Sequence, residues 1–140
     1  MTRHGYFPAH YRDVFDATVT HDEKVGPGMR LSFVDVGPHT QLNVFEIDDN
    51  AEARKDSSMF NRGRLDHMGL QAASLQAFEV VRKRLIACGA TDGFVTDFGP
   101  VLSLFFTDPD GLEGEVCVDN PDMVPGRMNP PGTPAARYHA

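Results

Sequence analysis

The sequence predicts an α+β fold built from two βαβββ modules, the second complete and the first shortened at its N-terminus. Three observations carry this. Residues 65–119 read as strand, helix, strand, strand, strand, with a turn or cap signal at every boundary. Residues 17–47 repeat the last three strands of that pattern as a meander, after a short helical stretch. Strand parity in the second module then puts an apolar set on the helix side and a polar set on the other.

The elements follow in chain order. Arg3-His4-Gly5-Tyr6-Phe7 reads as a strand stub. Pro8 suits the first turn of a helix, where its missing N–H is not needed. Residues 9–15 would then make two turns at most, too few to stand without tertiary support. Residues 17–21 alternate and carry Thr and Val, so they read as a strand. Gly26-Pro27-Gly28 breaks the chain. Residues 29–36 and 40–47 read as strands joined by Gly37-Pro38-His39. Residues 49–64 form a polar linker that contains one apolar pair, Met59-Phe60.

The second module begins with residues 64–71, a short strand carrying His67. Ser74 offers an N-cap oxygen. Leu75, Phe78, Val81, Leu85 and Cys88 follow at spacings of three and four, one apolar stripe of a helix that Gly89 can end. Residues 94–98 make a strand closed by Gly99-Pro100, and residues 101–107 are strongly apolar and of strand length. Asp108-Pro109-Asp110-Gly111 fits a type I turn. Residues 112–118 form the last strand. Leu112, Val116 and Val118 share its helix side, and Glu113, Glu115 and Cys117 share the other. Met68 and Leu70 take the helix side of the histidine strand, so His67, Gly69 and Gln71 turn away from it. His67 and Glu115 therefore meet on one face, a place for a ligand rather than a core. On the strand before, Phe105 with Ser103 and Thr107 forms an apolar wall, while Leu102, Leu104 and Phe106 enter the core. Residues 120–140 are a Pro- and Gly-rich tail expected to be loose, with Tyr138-His139 as a possible contact at its end. The domain reading is one domain over residues 1–119, with module one at about 4–48 and module two at 65–119, followed by that tail.

Composition narrows the function classes. A net charge of -7 over 140 residues disfavours nucleic acid and anionic membrane as partners. No apolar run approaches the length of a membrane span, and the first residues lack the apolar core of a signal peptide. Two cysteines, Cys88 and Cys117, supply neither a disulfide framework nor a metal-type Cys pair. The expected compartment is the reducing cytoplasm.

Leu65-Asp66-His67-Met68-Gly69-Leu70, the helix after it, Thr96-Asp97-Phe98-Gly99-Pro100, Phe105-Phe106-Thr107-Asp108-Pro109-Asp110-Gly111 and Glu115-Val116 together resemble the vicinal oxygen chelate superfamily. That superfamily holds glyoxalase I, extradiol dioxygenases, methylmalonyl-CoA epimerase, and fosfomycin- and bleomycin-resistance proteins. The resemblance implies that the paired modules curl into an open cup around a divalent metal, held by the first and last strands of each module. Carried over by position, His67 and Glu115 are the second module's ligands. In the first module Leu42-Asn43-Val44 occupies the place where a carboxylate usually stands, so Asn43 replaces it. His4 is the third candidate ligand. Two readings of it stay open: a deletion between strand and helix, or a missing first strand with His4 outside the site.

With His4, the set is two histidines and one carboxylate with open positions, a pattern suited to Fe(II) and oxygen. Fe(II) is therefore the first metal expected, with Mn, Zn, Ni or Co as alternatives. The resemblance implies a metal-dependent enzyme acting on a small oxygenated molecule by two-oxygen chelation, with extradiol-dioxygenase-like chemistry first and lyase or isomerase chemistry next. The alternatives are a metal-free drug- or metabolite-binding protein of the bleomycin-resistance type and an inactive member. Asn43 and Gln41 point the same way on their strand and, with Phe105 and Cys117, are the expected substrate pocket. Cys117 is read as a small packed residue rather than a reactive thiol. A shortened first module exposes a sheet edge, so a homodimer is expected, with exchange of strands or modules as one form of it.

Overall fold

The computed structural model describes residues 6–50, 65–122 and 136–138. The chain divides into two compact units, Met1–Asp56 and Ser57–Ala140. Two helices and two sheets among the described residues make the fold α+β. No helix among them is long and apolar enough to cross a membrane.

The first unit opens with α1, Tyr6–Phe15. The helix thus takes in Tyr6 and Phe7, which the sequence suggested as strand, and Pro8 still falls in its first turn, where a backbone N–H has no helical partner. The remainder of the expected stub, His4 included, lies outside the described residues. Aromatic residues four apart stabilise this short helix: the rings of Phe7 and Tyr11 are 5.0 Å apart and those of Tyr11 and Phe15 5.5 Å. The tertiary support it requires comes from a sheet. Strands β1 (Thr18–Gly26), β2 (Met29–Asp35) and β3 (Gln41–Ile47) form an antiparallel meander in that order. Helix α1 packs on β1 and β2, burying Tyr11, Val14, Ala17 and Val34.

Strand β1 runs five residues past the expected end at His21, reaching Gly26. Its polar continuation stays paired because Asp22, Glu23 and Lys24 lie opposite Ser32, Leu31 and Arg30. Arg30 Nε and Ser32 Oγ both donate to Asp22 Oδ1, at 2.7 and 2.9 Å. The hairpin turns at Gly28, whose φ of 64° favours glycine.

The second unit holds β4 (Met68–Gln71), α2 (Leu75–Ala87), β5 (Val95–Asp97), β6 (Val101–Thr107), β7 (Glu113–Asp119) and β8 (Ala136–Tyr138). The sheet order is β4-β7-β6-β5-β8, with β4 parallel to β7 and the other pairs antiparallel. Ser74 caps α2 as expected, its Oγ accepting from Ala77 N at 3.0 Å. Phe78 and Leu85 are buried with Leu102, Leu104, Phe106, Val116 and Val118. Asp108-Pro109-Asp110-Gly111 closes as a turn: Gly111 N donates to Asp108 O at 3.0 Å, and Asp108 Oδ1 accepts from the amides of Asp110 and Leu112.

Three expectations are corrected here. The histidine strand starts at Met68, so His67 stands one residue before it. The buried stripe of α2 is rotated: Leu75 and Cys88 are exposed, and Arg82 is buried instead. Arg82 can be buried because its Nε donates to Gly93 O at 2.8 Å and its Nη1 to Glu79 Oε2 at 3.2 Å. The tail is not loose at its far end, where residues 136–138 pair antiparallel with β5 and extend the sheet. A strand edge accepts any chain that presents free amides and carbonyls, which tail composition does not forbid.

Candidate functional site

The site is built on the face of the second sheet that turns away from α2. Strand β7 alternates: Gly114, Val116 and Val118 are buried, and Glu113, Glu115 and Cys117 are part-buried on the other side. Parallel pairing sets Gly69 of β4 beside Glu115, which brings the residue just before β4 to the same place. His67 Nε2 lies 3.3 Å from Glu115 Oε2. The convergence expected from parity is thus present, although His67 is not itself in regular strand.

Each of the two side chains has a further partner. Asp66 Oδ2 is 2.6 Å from His67 Nδ1. Ser103, fully buried on β6, donates its hydroxyl to Glu115 Oε1 at 2.6 Å. Sequence reasoning put Ser103 in an apolar wall and gave Asp66 no role. The ring of Phe105 meets the His67 ring edge-on, at a centroid distance of 5.9 Å and 70° between planes. Phe105 also lines a cavity of about 620 Å³ together with Thr91, Asp92, Phe94, Thr107 and Glu113. Phe105 links that space, which is of small-molecule size, to the candidate pair, although neither His67 nor Glu115 lines it.

The electrostatics follow from these contacts. The hydrogen bond to Asp66, and then the charge of Glu115, raise the His67 pKa above its ordinary value against the opposing effect of burial. Since the folded value is the higher one, this contributes stability that is complete below the unfolded pKa near 6.5 and is lost as pH rises through the folded value. Burial, and next the Glu115 charge, push the Cys117 thiol up to about 12. The thiol sits on the site's face in its neutral form, in keeping with a packed rather than a reactive role.

The pair can be tested as a metal half-site on geometry alone. Two donors about 2.1 Å from one ion, at octahedral or tetrahedral angles, are roughly 3.0–3.4 Å from each other. The 3.3 Å between His67 Nε2 and Glu115 Oε2 fits that spacing. Among the described residues no group of three or more His, Cys, Asp or Glu is placed to hold a metal ion. His67 and Glu115 thus fit as two ligands and do not form a complete set.

The remaining sequence candidates divide as follows. Phe105 lines the cavity. Cys117 lies on the same face as Glu115 but outside the cavity lining. Gln41 and Asn43 belong to the first unit, exposed on one face of β3, and Gln41 Nε2 donates to Asp35 Oδ1 at 2.8 Å. His4 lies outside the described residues.

No family model matches this sequence, and no curated protein matches it. Solved structures do match the fold. A glyoxylase/bleomycin resistance protein/dioxygenase domain from Frankia sp. EAN1pec aligns with a TM-score of 0.66 at 19% identity, covering 87% of each chain. The genomically encoded fosfomycin resistance protein FosX from Listeria monocytogenes aligns with a TM-score of 0.60 at 15% identity, covering 87% of this chain and 88% of that one. A mutant of that FosX, complexed with Mn(II) and 1S,2S-dihydroxypropylphosphonic acid, aligns with a TM-score of 0.61 at 16% identity over 86% of both chains. These neighbours are members of the vicinal oxygen chelate superfamily, and the chain shares their fold.

Proposed function

We propose that this chain is a divalent-metal enzyme that takes a small oxygenated molecule by two neighbouring oxygens. The observation that carries the reading is the 3.3 Å approach of His67 Nε2 and Glu115 Oε2, with Phe105 joining the pair to a cavity of about 620 Å³. When bound, a metal at this pair supplies Lewis acidity toward the charge that develops on the substrate oxygens. The chain's own part is to hold two donors, leave the other positions for substrate, and border the space with the rings of Phe94 and Phe105. Among the described residues, the cavity lining carries two carboxylates, Asp92 and Glu113, and no cation. That lining favours a neutral substrate, a diol or phenol, over an anion such as the phosphonate bound by the FosX mutant. Within this class, extradiol-dioxygenase-like chemistry comes first. The β3 position that matches Glu115 holds Asn43, an amide that cannot serve as the base of an isomerase. His4 as a further ligand and Fe(II) as the metal belong to the same proposal, with Mn(II), the ion in the FosX complex, as the next candidate. So does a homodimer. Among the described residues β3 is an outer strand, with Phe45 58% and Ile47 44% exposed.

One observation favours a second reading, a metal-free small-molecule binder. Both nitrogens of His67 face carboxylates, so the cluster is satisfied without an ion. Titration of the protein with Mn(II), Fe(II) and Zn(II), followed by calorimetry, separates the two. The enzyme reading expects near-stoichiometric uptake of at least one ion, weakened at least about 100-fold in His67→Ala and in Glu115→Ala. Uptake of none of the three leaves the binder reading standing and ends the catalytic one.

A further inference from the structure

We propose that Asp66 and Ser103 are positioning residues, Asp66 setting the ring of His67 and Ser103 setting the carboxylate of Glu115. The inference rests on the metal reading above and extends it to two residues outside the ligand pair. An imidazole has two tautomers and a free ring rotation, and only one combination presents a lone pair where a metal is shared with Glu115. An ionised carboxylate accepts hydrogen bonds and donates none. Asp66 Oδ2, at 2.6 Å from Nδ1, therefore holds the proton on Nδ1 and leaves Nε2 as the ligand atom. Nε2 is the atom that faces Glu115. The edge contact with Phe105 opposes rotation of the ring away from this pose.

The backbone explains how two adjacent residues can cooperate. In regular strand, Asp66 and His67 would project to opposite faces. Strand β4 begins only at Met68, and residues 65–67 before it belong to no regular element, so the Asp66 carboxylate can turn onto its neighbour's ring.

Ser103 acts on the other ligand. Its residue is fully buried, so its hydroxyl needs a partner within the protein. The residue directly opposite it on β7 is Cys117, yet its hydroxyl reaches diagonally to Glu115 Oε1 at 2.6 Å. One carboxylate oxygen is thereby held, and the other is left toward His67. Partners of this kind that orient ligands typically change metal affinity by 10- to 100-fold when removed.

The test combines Mn(II) affinity with ¹⁵N NMR of the imidazoles in metal-free protein, recorded at a pH where His67 is neutral. Asp66→Ala and Ser103→Ala should each weaken Mn(II) binding roughly 10- to 100-fold. Asp66→Asn, whose amide donates as well as accepts, loses the acceptor-only character that holds the proton on Nδ1 and should not restore the loss. The His67 signals should report the Nδ1–H tautomer in wild type and a shift toward Nε2–H in Asp66→Ala. A purely structural role moves the melting temperature but not the tautomer. Mn(II) affinities within about threefold of wild type, with an unchanged tautomer, overturn the inference. A wild-type protein that binds no Mn(II), Fe(II) or Zn(II) overturns the metal reading instead. In that case loss of the Nδ1–H tautomer in Asp66→Ala still upholds the placement of His67, and its retention overturns that as well.

Discussion

Across β2 and β3, Phe33 lies opposite Asn43; across β6 and β7, Phe105 lies opposite Glu115. The two hairpins match pair by pair from that point: Leu31 with Phe45 answers Ser103 with Cys117, and Val34 with Leu42 answers Phe106 with Gly114. The frames agree and the side chains do not. Where the second unit has a buried serine beside a carboxylate, the first has a leucine beside an amide. The neighbouring strand differs too. Strand β7 is flanked by β4, with His67 just before it, whereas β3 is the outer strand of its sheet among the described residues. A part-buried carboxylate is costly unless hydrogen-bonded or paired. Glu115 meets that cost with Ser103 and His67. Asn43 is exposed and faces no such demand. A polar site on this frame thus takes both an inward carboxylate and the parallel strand that brings a histidine to it.

The largest effect that would break this comparison concerns the helix-side pair. A Cβ on Gly114 would fall onto the ring of Phe106, its partner across the ladder, while nothing lies within 4 Å of a Cβ on Gly69. Gly114→Ala is expected to cost about 1–3 kcal/mol through overpacking. Gly69→Ala, on the site's own face, should stay within about 0.5 kcal/mol. Urea unfolding of the two variants checks this. Equal stabilities would mean that β7 does not rely on the large–small pairing that distinguishes it from β3 with its Leu42.

Much of this frame was legible from sequence because local signals agreed with it. The bounds of β6, the cap at Ser74, the turn at Asp108 and the parity of β7 all rest on short-range patterns, and all are present. What was not legible depends on contacts distant in sequence or on backbone departures. Arg82 reads as a solvated helix residue until Gly93 O is known to lie within its reach. Strand β8 follows a long Pro- and Gly-rich stretch, and only the free edge of β5 makes it a strand. In the site, His67 and Glu115 followed from alternation. Asp66 did not, because alternation itself predicts that adjacent residues point apart. Ser103 was on the correct face, and its diagonal reach past Cys117 needed coordinates.

A smaller effect sharpens the comparison at the helices. Helix α2 connects β4 to the rest of its sheet and carries a defined N-cap, Ser74 Oγ on Ala77 N. Ser74→Ala should cost about 1 kcal/mol. Its Mn(II) affinity, read on the folded protein, should remain that of wild type. A parallel loss of affinity would mean that the helix end, and not the β4–β7 register, sets the position of His67.

The smallest effect is chemical and lies where β7 differs from β3 by a cysteine in place of Phe45. Cys88 is exposed and Cys117 is not, so one protein holds both a target and a control. With the Cys117 pKa pushed to about 12 by burial and then by Glu115, roughly one molecule in ten thousand carries its thiolate at pH 8. Iodoacetamide should label Cys88 and spare Cys117 at that pH, as read by peptide mass spectrometry. The sign of the linkage is also fixed. A pKa raised on folding contributes stability that is complete below the unfolded value of 9.0 and lost as pH climbs toward about 12. Glu115→Gln removes the neighbouring negative charge and leaves the burial in place. Labelling of Cys117 should therefore quicken in that variant without reaching the rate of Cys88. An unchanged rate would show that Glu115 does not impose its field on this face, and the contrast with the uncharged Asn43 of β3 would lose its electrostatic half.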